Sequence, residues 1–328
     1  MRRALLLLAF LALSLFYAGA YCRQANLKYT YTPKPLAGDF ETFYERNRNF
    51  SLRAGVPERA TERLVINNPE KDGIAILYIH GFGASRAEGE YTVDALAQAI
   101  SANVYYLRLP GHGTTAEAHA QATFDQYLST AEEALLHMPL LGKKTVVIGT
   151  STGALVATYL ASGYSDRMHA VIFASPLWDF ANKTTRLLNF PGGLALGQMV
   201  MGTERDAGWK SDPENRKHAD YEKHWMIKQK FAALVNLNNL RRFVVKPETF
   251  AAIKVPALAL VYYKDDKHQD EAIDVAKVRE VMPQLGSAAG GKNRLIEVAD
   301  GNHILLSEFV RTDKATQLRE IRAWLSGL

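Results

Sequence analysis

One serine lies in a pattern that can turn a hydroxyl into a nucleophile. Ser151 is the centre of Gly149-Thr150-Ser151-Thr152-Gly153, a Gly-x-Ser-x-Gly pattern that directly follows the apolar run 145–148. The pattern predicts a sharp strand-to-helix turn, in which a side chain at either glycine would collide with neighbouring backbone. Such a turn exposes the hydroxyl and aims the first amides of the helix at a developing oxyanion. A serine that only caps the helix is the alternative interpretation.

Of the nine histidines, His303 is the best placed to accept the serine proton. A serine hydroxyl is a poor nucleophile until a base removes that proton. His303 ends the polar loop Ala299-Asp300-Gly301-Asn302-His303, just after the last predicted strand. Parallel strands bring their carboxyl-terminal loops to the same edge of a sheet, so we expect His303 within reach of Ser151.

A carboxylate should hold this imidazole in its useful tautomer and stabilise the imidazolium. The candidates lie in Lys264-Asp265-Asp266-Lys267-His268-Gln269-Asp270, which follows the apolar run 258–263. We predict that the orienting acid is Asp266, with Asp265 and Asp270 as alternatives. A solvated, charged turn is the other interpretation of this run.

Backbone donors for an oxyanion are predicted in two places. The segment His80-Gly81-Phe82-Gly83 follows the apolar run 74–79, and its small residues allow backbone amides to face the reacting group. We predict that the amides of Phe82 and Thr152 form the oxyanion hole. His80 is expected to make hydrogen bonds within the loop and to take no part in the chemistry.

Short apolar runs separated by helical patterns predict the elements that position these groups. Strands are predicted at 61–67, 74–79, 104–109, 145–148, 170–174, 257–263 and 294–298, and helices at 91–100, 124–136 and 152–161. Several strands are almost wholly apolar, which is typical of strands covered on both faces. The alternation predicts an α/β fold with a parallel sheet.

The alternation stops between Pro176 and Pro256, where the sequence contains no convincing strand. The aromatic residues of this stretch are Trp178, Phe180, Phe190, Trp209, Trp225, Phe231, Phe243 and Phe250. We interpret residues 176–250 as a helical cap over the site, inserted into a core formed by 21–175 and 251–328. Ordinary helix packing is the alternative, because aromatic side chains also fill cores.

Residues 1–20 have the pattern of a secretory signal peptide. Arg2 and Arg3 precede an apolar run, 4–21, which contains the small residues Ala18-Gly19-Ala20. An uncleaved N-terminal membrane anchor is the alternative, since the run is at the lower limit for spanning a bilayer. In both cases the remainder is expected outside the cytoplasm, either periplasmic or extracellular, or membrane-anchored through residues 4–21.

Composition excludes several classes of protein. A hydrophobic fraction of 48% excludes wholesale disorder. The net charge is +5, from 39 basic and 34 acidic residues, and no Lys/Arg run exceeds two, so a nucleic-acid partner is not expected. The single cysteine, Cys22, excludes an intramolecular disulfide and a zinc cluster.

Taken together, these segments resemble the α/β-hydrolase superfamily, and in particular its monoacylglycerol lipase-like and carboxylesterase-like serine hydrolases. The resemblance also rests on Leu109-Pro110-Gly111-His112-Gly113, and it runs from about residue 74 to the C-terminus outside the insertion. It implies an eight-stranded, mostly parallel sheet flanked by helices, a helical cap after strand six, and a Ser-Asp-His triad. Many relatives have His-Gly before the acid, where this chain has Tyr262-Tyr263.

The resemblance implies a carboxylesterase or lipase-like activity on a small-molecule ester or lipid-like substrate, with no metal or organic cofactor. Leu187, Leu188 and Phe190 in the insertion favour an apolar acyl chain. A thioesterase, peptidase or acyltransferase with the same triad is the alternative. A non-catalytic binding protein of the same fold is a further one.

Overall fold

The computed structural model describes residues 11, 12, 14, 27–32, 36, 38–207, 221–287 and 290–328. Most of the predicted signal peptide or anchor lies outside these residues, so export and membrane attachment stay predictions. Within the described residues, no helix is both long and apolar enough to cross a bilayer.

The centre of the structure is a mostly parallel β-sheet. Its strands are β1 (Arg63–Val65), β2 (Ile74–Ile79), β3 (Asn103–Leu107), β4 (Lys144–Thr150), β5 (Ala170–Ala174), β8 (Ala257–Asp265), β9 (His268–Gln269) and β10 (Arg294–Val298). They lie in the order β1-β3-β2-β4-β5-β8-β10, and β9 pairs with the end of β8. Only β1 and β9 run antiparallel to their neighbours in this sheet. Two further strands, β6 (Glu204–Asp206) and β7 (Lys228–Lys230), form a separate antiparallel pair.

Helices cover both faces of the sheet. They are α1 (Phe40–Arg53), α2 (Glu90–Ala99), α3 (Ala116–Gln121), α4 (Phe124–His137), α5 (Thr152–Gly163), α6 (Gly193–Met201), α7 (Tyr221–His224), α8 (Ala233–Val244), α9 (Pro247–Ala252), α10 (Val275–Val281) and α11 (Lys314–Ser326). Helices α2 and α11 cover one face, whereas α1, α4, α5, α8, α9 and α10 pack on the other.

The strands are apolar because helices bury both faces of the sheet. On β2, Leu77 and Ile79 point into one core and Ile76 and Tyr78 into the other. Successive strand residues face opposite sides, so a strand buried on both faces must be apolar throughout. The structure confirms the predicted eight-stranded, mostly parallel sheet flanked by helices.

The insertion between β5 and β8 differs from the predicted helical cap. It contains the β6–β7 hairpin, so the expectation that it lacks strands is wrong. Helix α8 buries Leu237 and Leu240 in the same core as the sheet. This helix therefore belongs partly to the layer that supports the sheet. The proposed cap boundaries at 176 and 250 stay a prediction.

Candidate active site

Ser151 lies at the turn between β4 and α5, where its sequence pattern places it. Its backbone has φ 53° and ψ −107°, a strained conformation for a residue with a side chain. A Cβ added at Gly149 would lie 2.3 Å from the carbonyl oxygen of Gly153, and one at Gly153 only 2.0 Å from that of Ile79. Neither glycine can therefore carry a side chain unless the backbone shifts.

His303 joins the serine to a carboxylate. Its Nε2 lies 3.0 Å from the Ser151 Oγ, and its Nδ1 lies 2.8 Å and 3.0 Å from the two carboxylate oxygens of Asp270. Asp270 is 2% exposed and Ser151 is 6% exposed. If Nδ1 carries the ring proton for Asp270, Nε2 is free to accept the proton of the serine hydroxyl.

The structure corrects the predicted acid, because Asp270 and not Asp266 contacts His303. Asp266 is exposed, and its Oδ1 accepts a hydrogen bond of 2.8 Å from the hydroxyl of Tyr263. Asp265 is also exposed and caps the amides of the same turn. Asp270 was only an alternative in the sequence analysis.

The difference arises from the length of β8. This strand continues to Asp265, past its predicted end, and the chain then doubles back through β9. Doubling back returns the chain to the level of Tyr262, where the Asp270 amide donates 3.0 Å to the Tyr262 carbonyl. Tyr262 is level with Val298, the last residue of β10. Asp270 thus lies at the sheet edge, beside the loop that carries His303.

A burial signal in the sequence distinguishes Asp270 from its neighbours. Asp265 and Asp266 are flanked by lysines, as expected for a solvated turn. Asp270 is followed by Ala272, Ile273 and Val275, and the last two are each 1% exposed. The amides of Ala272 and Ile273 donate to Asp270 Oδ1, which fixes the carboxylate in place. A carboxylate outside the lysine-flanked turn and close to apolar residues was the better candidate for a buried acid.

Ser175 is a further residue at the site that the sequence analysis missed. It follows β5, is fully buried and has a positive φ of 44°. Its hydroxyl donates 2.7 Å to the carbonyl oxygen of His303. This hydrogen bond holds the loop of the base against the neighbouring strand. No sequence pattern marks Ser175 for that role.

The loop after β2 lies directly against the serine. A Cβ at Gly81 would lie 3.2 Å from the Cβ of Ser151. The Gly81 amide donates to Glu88, so this donor is already used. Within the described residues, the amides of Phe82 and Thr152 donate to no protein acceptor. Both donors are therefore available for the predicted oxyanion hole, and that role stays a prediction.

His80 has a structural place in the same loop. The backbone amide of Leu109 donates 3.1 Å to its Nε2, so the ring proton lies on Nδ1, which bonds the carbonyl oxygen of Gly81. Burial lowers the pKa of His80 to about 4. The ring is therefore neutral at neutral pH and joins two loops at the edge of the sheet.

Two carboxylates influence the charge of His303. Burial alone lowers the pKa of His303, but Asp270, which bonds it, and Glu88 more than offset this, so its pKa lies above the ordinary value. Glu88 is 3% exposed, and its burial raises its own pKa to about 7, against the opposing effects of the Gly81 amide and His303. Glu88 was not singled out by the sequence analysis. Its carboxyl group changes charge in the pH range where the base must also be neutral.

A cavity of about 590 Å³ opens onto Ser151 and His303. Both the sheet edge and the insertion line it. The insertion contributes Leu177, Phe180, Asn182, Thr185, Leu188, Arg205, Ala207, Trp225, Met226, Ile227, Gln229, Leu234 and Leu237. Of the aliphatic and aromatic residues expected to line the site, Leu188 does so. Leu187 and Phe190 are about half exposed and lie outside the cavity lining.

No metal centre is evident in the part of the chain that the structure describes. None of its His, Cys, Asp and Glu side chains form a group of three or more that could hold a metal ion. The site consists of a hydroxyl, an imidazole, carboxyl groups and backbone amides around a cavity with both apolar and charged side chains. Such groups can transfer an acyl group through a serine.

Comparison with known proteins identifies the family. The model of the alpha/beta hydrolase family matches residues 76–312, which include most of the β2 strand, Ser151, Asp270 and His303. The chain belongs to the alpha/beta hydrolase family. The match confirms the resemblance inferred from the sequence pattern.

Curated proteins are similar to this alpha/beta hydrolase over part of the chain. The pimeloyl-[acyl-carrier protein] methyl ester esterase of Vibrio atlanticus (strain LGP32) is 32% identical over 109 residues. The alignment covers 33% of this chain and 39% of that relative. The human Protein ABHD8 is 28% identical over 99 residues, or 30% of this chain and 22% of that protein. The chain thus matches well under half the length of these curated relatives.

Solved structures of other proteins are similar to this alpha/beta hydrolase over most of the chain. One structure, from work on the metagenome-derived lipolytic enzymes LipS and LipT, superposes with a TM-score of 0.66 at 18% identity, covering 83% of this chain and 100% of its own length. A soluble variant of monoglyceride lipase from Saccharomyces cerevisiae gives a TM-score of 0.62 at 16% identity, covering 81% and 91%. At these identities the likeness concerns the fold.

Proposed function

We propose that this alpha/beta hydrolase is a serine hydrolase of carboxylic esters, with Ser151 as nucleophile, His303 as base and Asp270 as orienting acid. The observation that carries the proposal is the continuous hydrogen-bonded chain from Ser151 through His303 to the buried Asp270. The lipase and esterase structures with the same fold support an ester as the substrate.

Acylation begins when the Ser151 Oγ attacks the ester carbon and passes its proton to Nε2 of His303. Asp270 accepts the hydrogen bond from Nδ1 and stabilises the imidazolium that forms. The carbonyl oxygen becomes an oxyanion, and the amides of Phe82 and Thr152 donate to it. The intermediate collapses when His303 returns the proton to the departing alcohol, which leaves the acyl group on Ser151.

Deacylation repeats these steps with water. Nε2 of His303 accepts a proton from a water molecule as its oxygen attacks the acyl carbon. The second oxyanion lies in the same hole. Collapse breaks the bond to Ser151, whose oxygen regains its proton from His303, and the carboxylic acid leaves.

The cavity supports an ester with an apolar part. Leu177, Leu188, Leu234 and Leu237 line it beside the reacting groups. An apolar chain buried there gains about 25 cal/mol for each Å² removed from water. We therefore retain the apolar acyl chain as part of the proposal.

A fluorophosphonate probe tests the nucleophile. The folded protein should be labelled covalently and should hydrolyse p-nitrophenyl esters, whereas Ser151→Ala should lose both properties. Ser129→Ala is the matched control, since its hydroxyl bonds only the carbonyl of Gln126 in its own helix. Labelling that persists in Ser151→Ala, or is absent from the folded wild type, contradicts the proposal.

A further inference from the structure

Arg205 is a positive charge in the cavity that has no anionic partner among the residues that the structure describes. Arg205 is the central residue of β6 in the insertion, and its side chain lines the same cavity as Ser151 and His303. Arg205 is half-buried, and this burial lowers the pKa of its guanidinium. No hydrogen bond or ion pair joins the guanidinium to any residue that the structure describes.

No carboxylate that the structure describes forms an ion pair with Arg205, and this includes Glu88 and Glu271, which line the same cavity. Glu204 lies on the opposite face of the strand and pairs at 2.6 Å with Lys230, which also binds Glu117 at 3.0 Å. The charge of Arg205 acts on the pKa of a nearby imidazole, His119. Burial first, and then the charge of Arg205, lower the pKa of His119 to about 4, so this imidazole is neutral at neutral pH.

The antiparallel pair of β6 and β7 holds Arg205 beside the loop 80–83, which carries the predicted oxyanion donor Phe82. Arg205 pairs with Gln229 across the hairpin, and a Cβ at Gly83 would overlap the Gln229 side chain. The Met226 amide also donates 2.7 Å to the carbonyl oxygen of Gly83. The guanidinium is thus held on a small two-stranded sheet anchored to the loop that faces Ser151.

An arginine in such a place is unfavourable unless a ligand supplies its counter-charge. Removing a guanidinium from water without a carboxylate costs free energy that its packing does not return. Its planar donors match a carboxylate or a phosphate in a bidentate arrangement. Within the described residues, no hydrogen bond joins it to Ser151, His303 or Asp270, so its donors are free to bind a group of the substrate.

We propose that Arg205 binds a second, anionic group of the substrate, a carboxylate or a phosphate, so that the enzyme selects esters that carry a negative charge. The inference rests on the proposed ester hydrolysis and narrows its substrate class. The apolar lining then holds the chain between the ester and the charged group, and the guanidinium holds the charge.

Matched pairs of charged and neutral esters test the inference and show whether the anionic group is a carboxylate or a phosphate. The carboxylate pair is a dicarboxylic acid monomethyl ester and the same ester with a terminal carboxamide. The phosphate pair is an acyl ester of glycerol phosphate and the same acyl glycerol. The measured quantity is the ratio of kcat/KM for the charged and neutral member of each pair, in the wild type and in Arg205→Met.

At least one pair should favour the charged member in the wild type, and Arg205→Met should reduce that ratio about 10- to 100-fold, as expected for losing a charge-assisted hydrogen bond. The pair that responds identifies carboxylate or phosphate. Lys228→Met is the control, because it removes the same charge from the exposed side of the same hairpin, outside this cavity. It should leave the ratio unchanged.

Binding supplies a readout that does not depend on turnover. Calorimetry should show that Ser151→Ala binds the charged ester more tightly than the neutral one. The double variant Ser151→Ala/Arg205→Met should bind the two esters equally. Thermal unfolding of Arg205→Met should occur at an equal or higher midpoint, since an uncompensated charge is lost.

Three outcomes overturn the inference: no charge preference in either pair, an unchanged ratio in Arg205→Met, or an equal fall of the ratio in Lys228→Met. Each is distinct from failure of the proposed function. If ester hydrolysis itself were wrong, neither neutral nor charged esters would react and the fluorophosphonate probe would not label the protein.

Discussion

The sheet edge and the insertion both line one cavity, but their side chains are held in different ways. At the edge, Ser151, His303 and Asp270 each follow a strand or its returning hairpin, and backbone hydrogen bonds or close glycine contacts fix them. In the insertion, Arg205 lies on a three-residue strand whose outer face is exposed.

This contrast separates the reaction from the selection of its substrate. The reacting atoms are positioned by elements that also form the core, so a change there alters turnover for every ester. The insertion supplies the side chains that surround the rest of the substrate, so a change there should alter which ester is preferred. Substitutions in the two regions should therefore differ in whether they change turnover or substrate preference.

The largest effect is expected at the acid. Asp270→Asn should reduce kcat about 10³- to 10⁴-fold, because the amide no longer stabilises the imidazolium or its useful tautomer. Asp266→Asn should change kcat less than about threefold, since Asp266 bonds Tyr263 on the surface. Steady-state kinetics on one p-nitrophenyl ester decides between them. A large loss in Asp266→Asn with little loss in Asp270→Asn would contradict the assignment.

The second effect is on stability at the nucleophile turn. In Gly153→Ala the new methyl group would lie 2.0 Å from the Ile79 carbonyl oxygen, which belongs to rigid backbone. We expect a loss of about 3 kcal/mol or more in the free energy of unfolding. Gly163→Ala, at the end of the same helix, meets no atom within 4 Å and should be neutral or stabilising by up to about 1 kcal/mol. Denaturant titration measures both, and equal losses would show that close packing is not the cause.

The sequence predicts the sheet edge well because its constraints are local. Two glycines and an apolar run identify Ser151, and a polar loop after a strand identifies His303. The acid was misplaced because the sequence analysis ended the strand before Asp265 and did not predict the short β8–β9 hairpin, which carries Asp270 back to the edge. The burial of Ile273 has only a weak sequence signal, since Glu271 and Asp274 flank the pair Ala272-Ile273.

The insertion was less predictable for a physical reason. Strands β6 and β7 have three residues each, and their sequences, Glu204-Arg205-Asp206 and Lys228-Gln229-Lys230, are polar. Pairing with each other, and hydrogen bonds to the loop at Gly83, stabilise them in place of an apolar pattern. Ser175 and Glu88 were missed because their roles come from tertiary contacts with His303 and Gly81.

The third prediction concerns the pH dependence of kcat/KM and its control by Glu88, which lies at the sheet edge outside the triad. Ionised Glu88 raises the pKa of His303, so Glu88→Gln should lower that pKa. His303 is then neutral at lower pH, and the acidic limb of the kcat/KM profile should move to lower pH. Glu90→Gln is the control, since Glu90 pairs with Arg63 and Arg86 away from the cavity. Movement of the limb to higher pH would contradict the proposed coupling.

Glu88 also predicts a change in stability with pH. Its folded pKa, about 7, lies above its ordinary value of 4.5. The folded state therefore binds the extra proton, and the stability this contributes is present below pH 4.5 and is lost as pH rises through about 7. The loss is on the order of 3 kcal/mol. In Glu88→Gln, the free energy of unfolding should depend less on pH between about 4.5 and 7. An unchanged dependence on pH would show that Glu88 is ionised throughout this range.

The smallest effect is expected on the outer surface of the insertion. Met199 in α6 is 87% exposed, so Met199→Lys should change the free energy of unfolding by less than about 0.5 kcal/mol. Leu237 in α8 is 4% exposed and packs in the main core, so Leu237→Ala should cost about 2–5 kcal/mol. Denaturant titration of both variants divides the insertion into a part that supports the sheet and a part that does not. If both changes were equally small, α8 would belong with the outer insertion, and the boundary between catalysis and selection would lie at the end of β5.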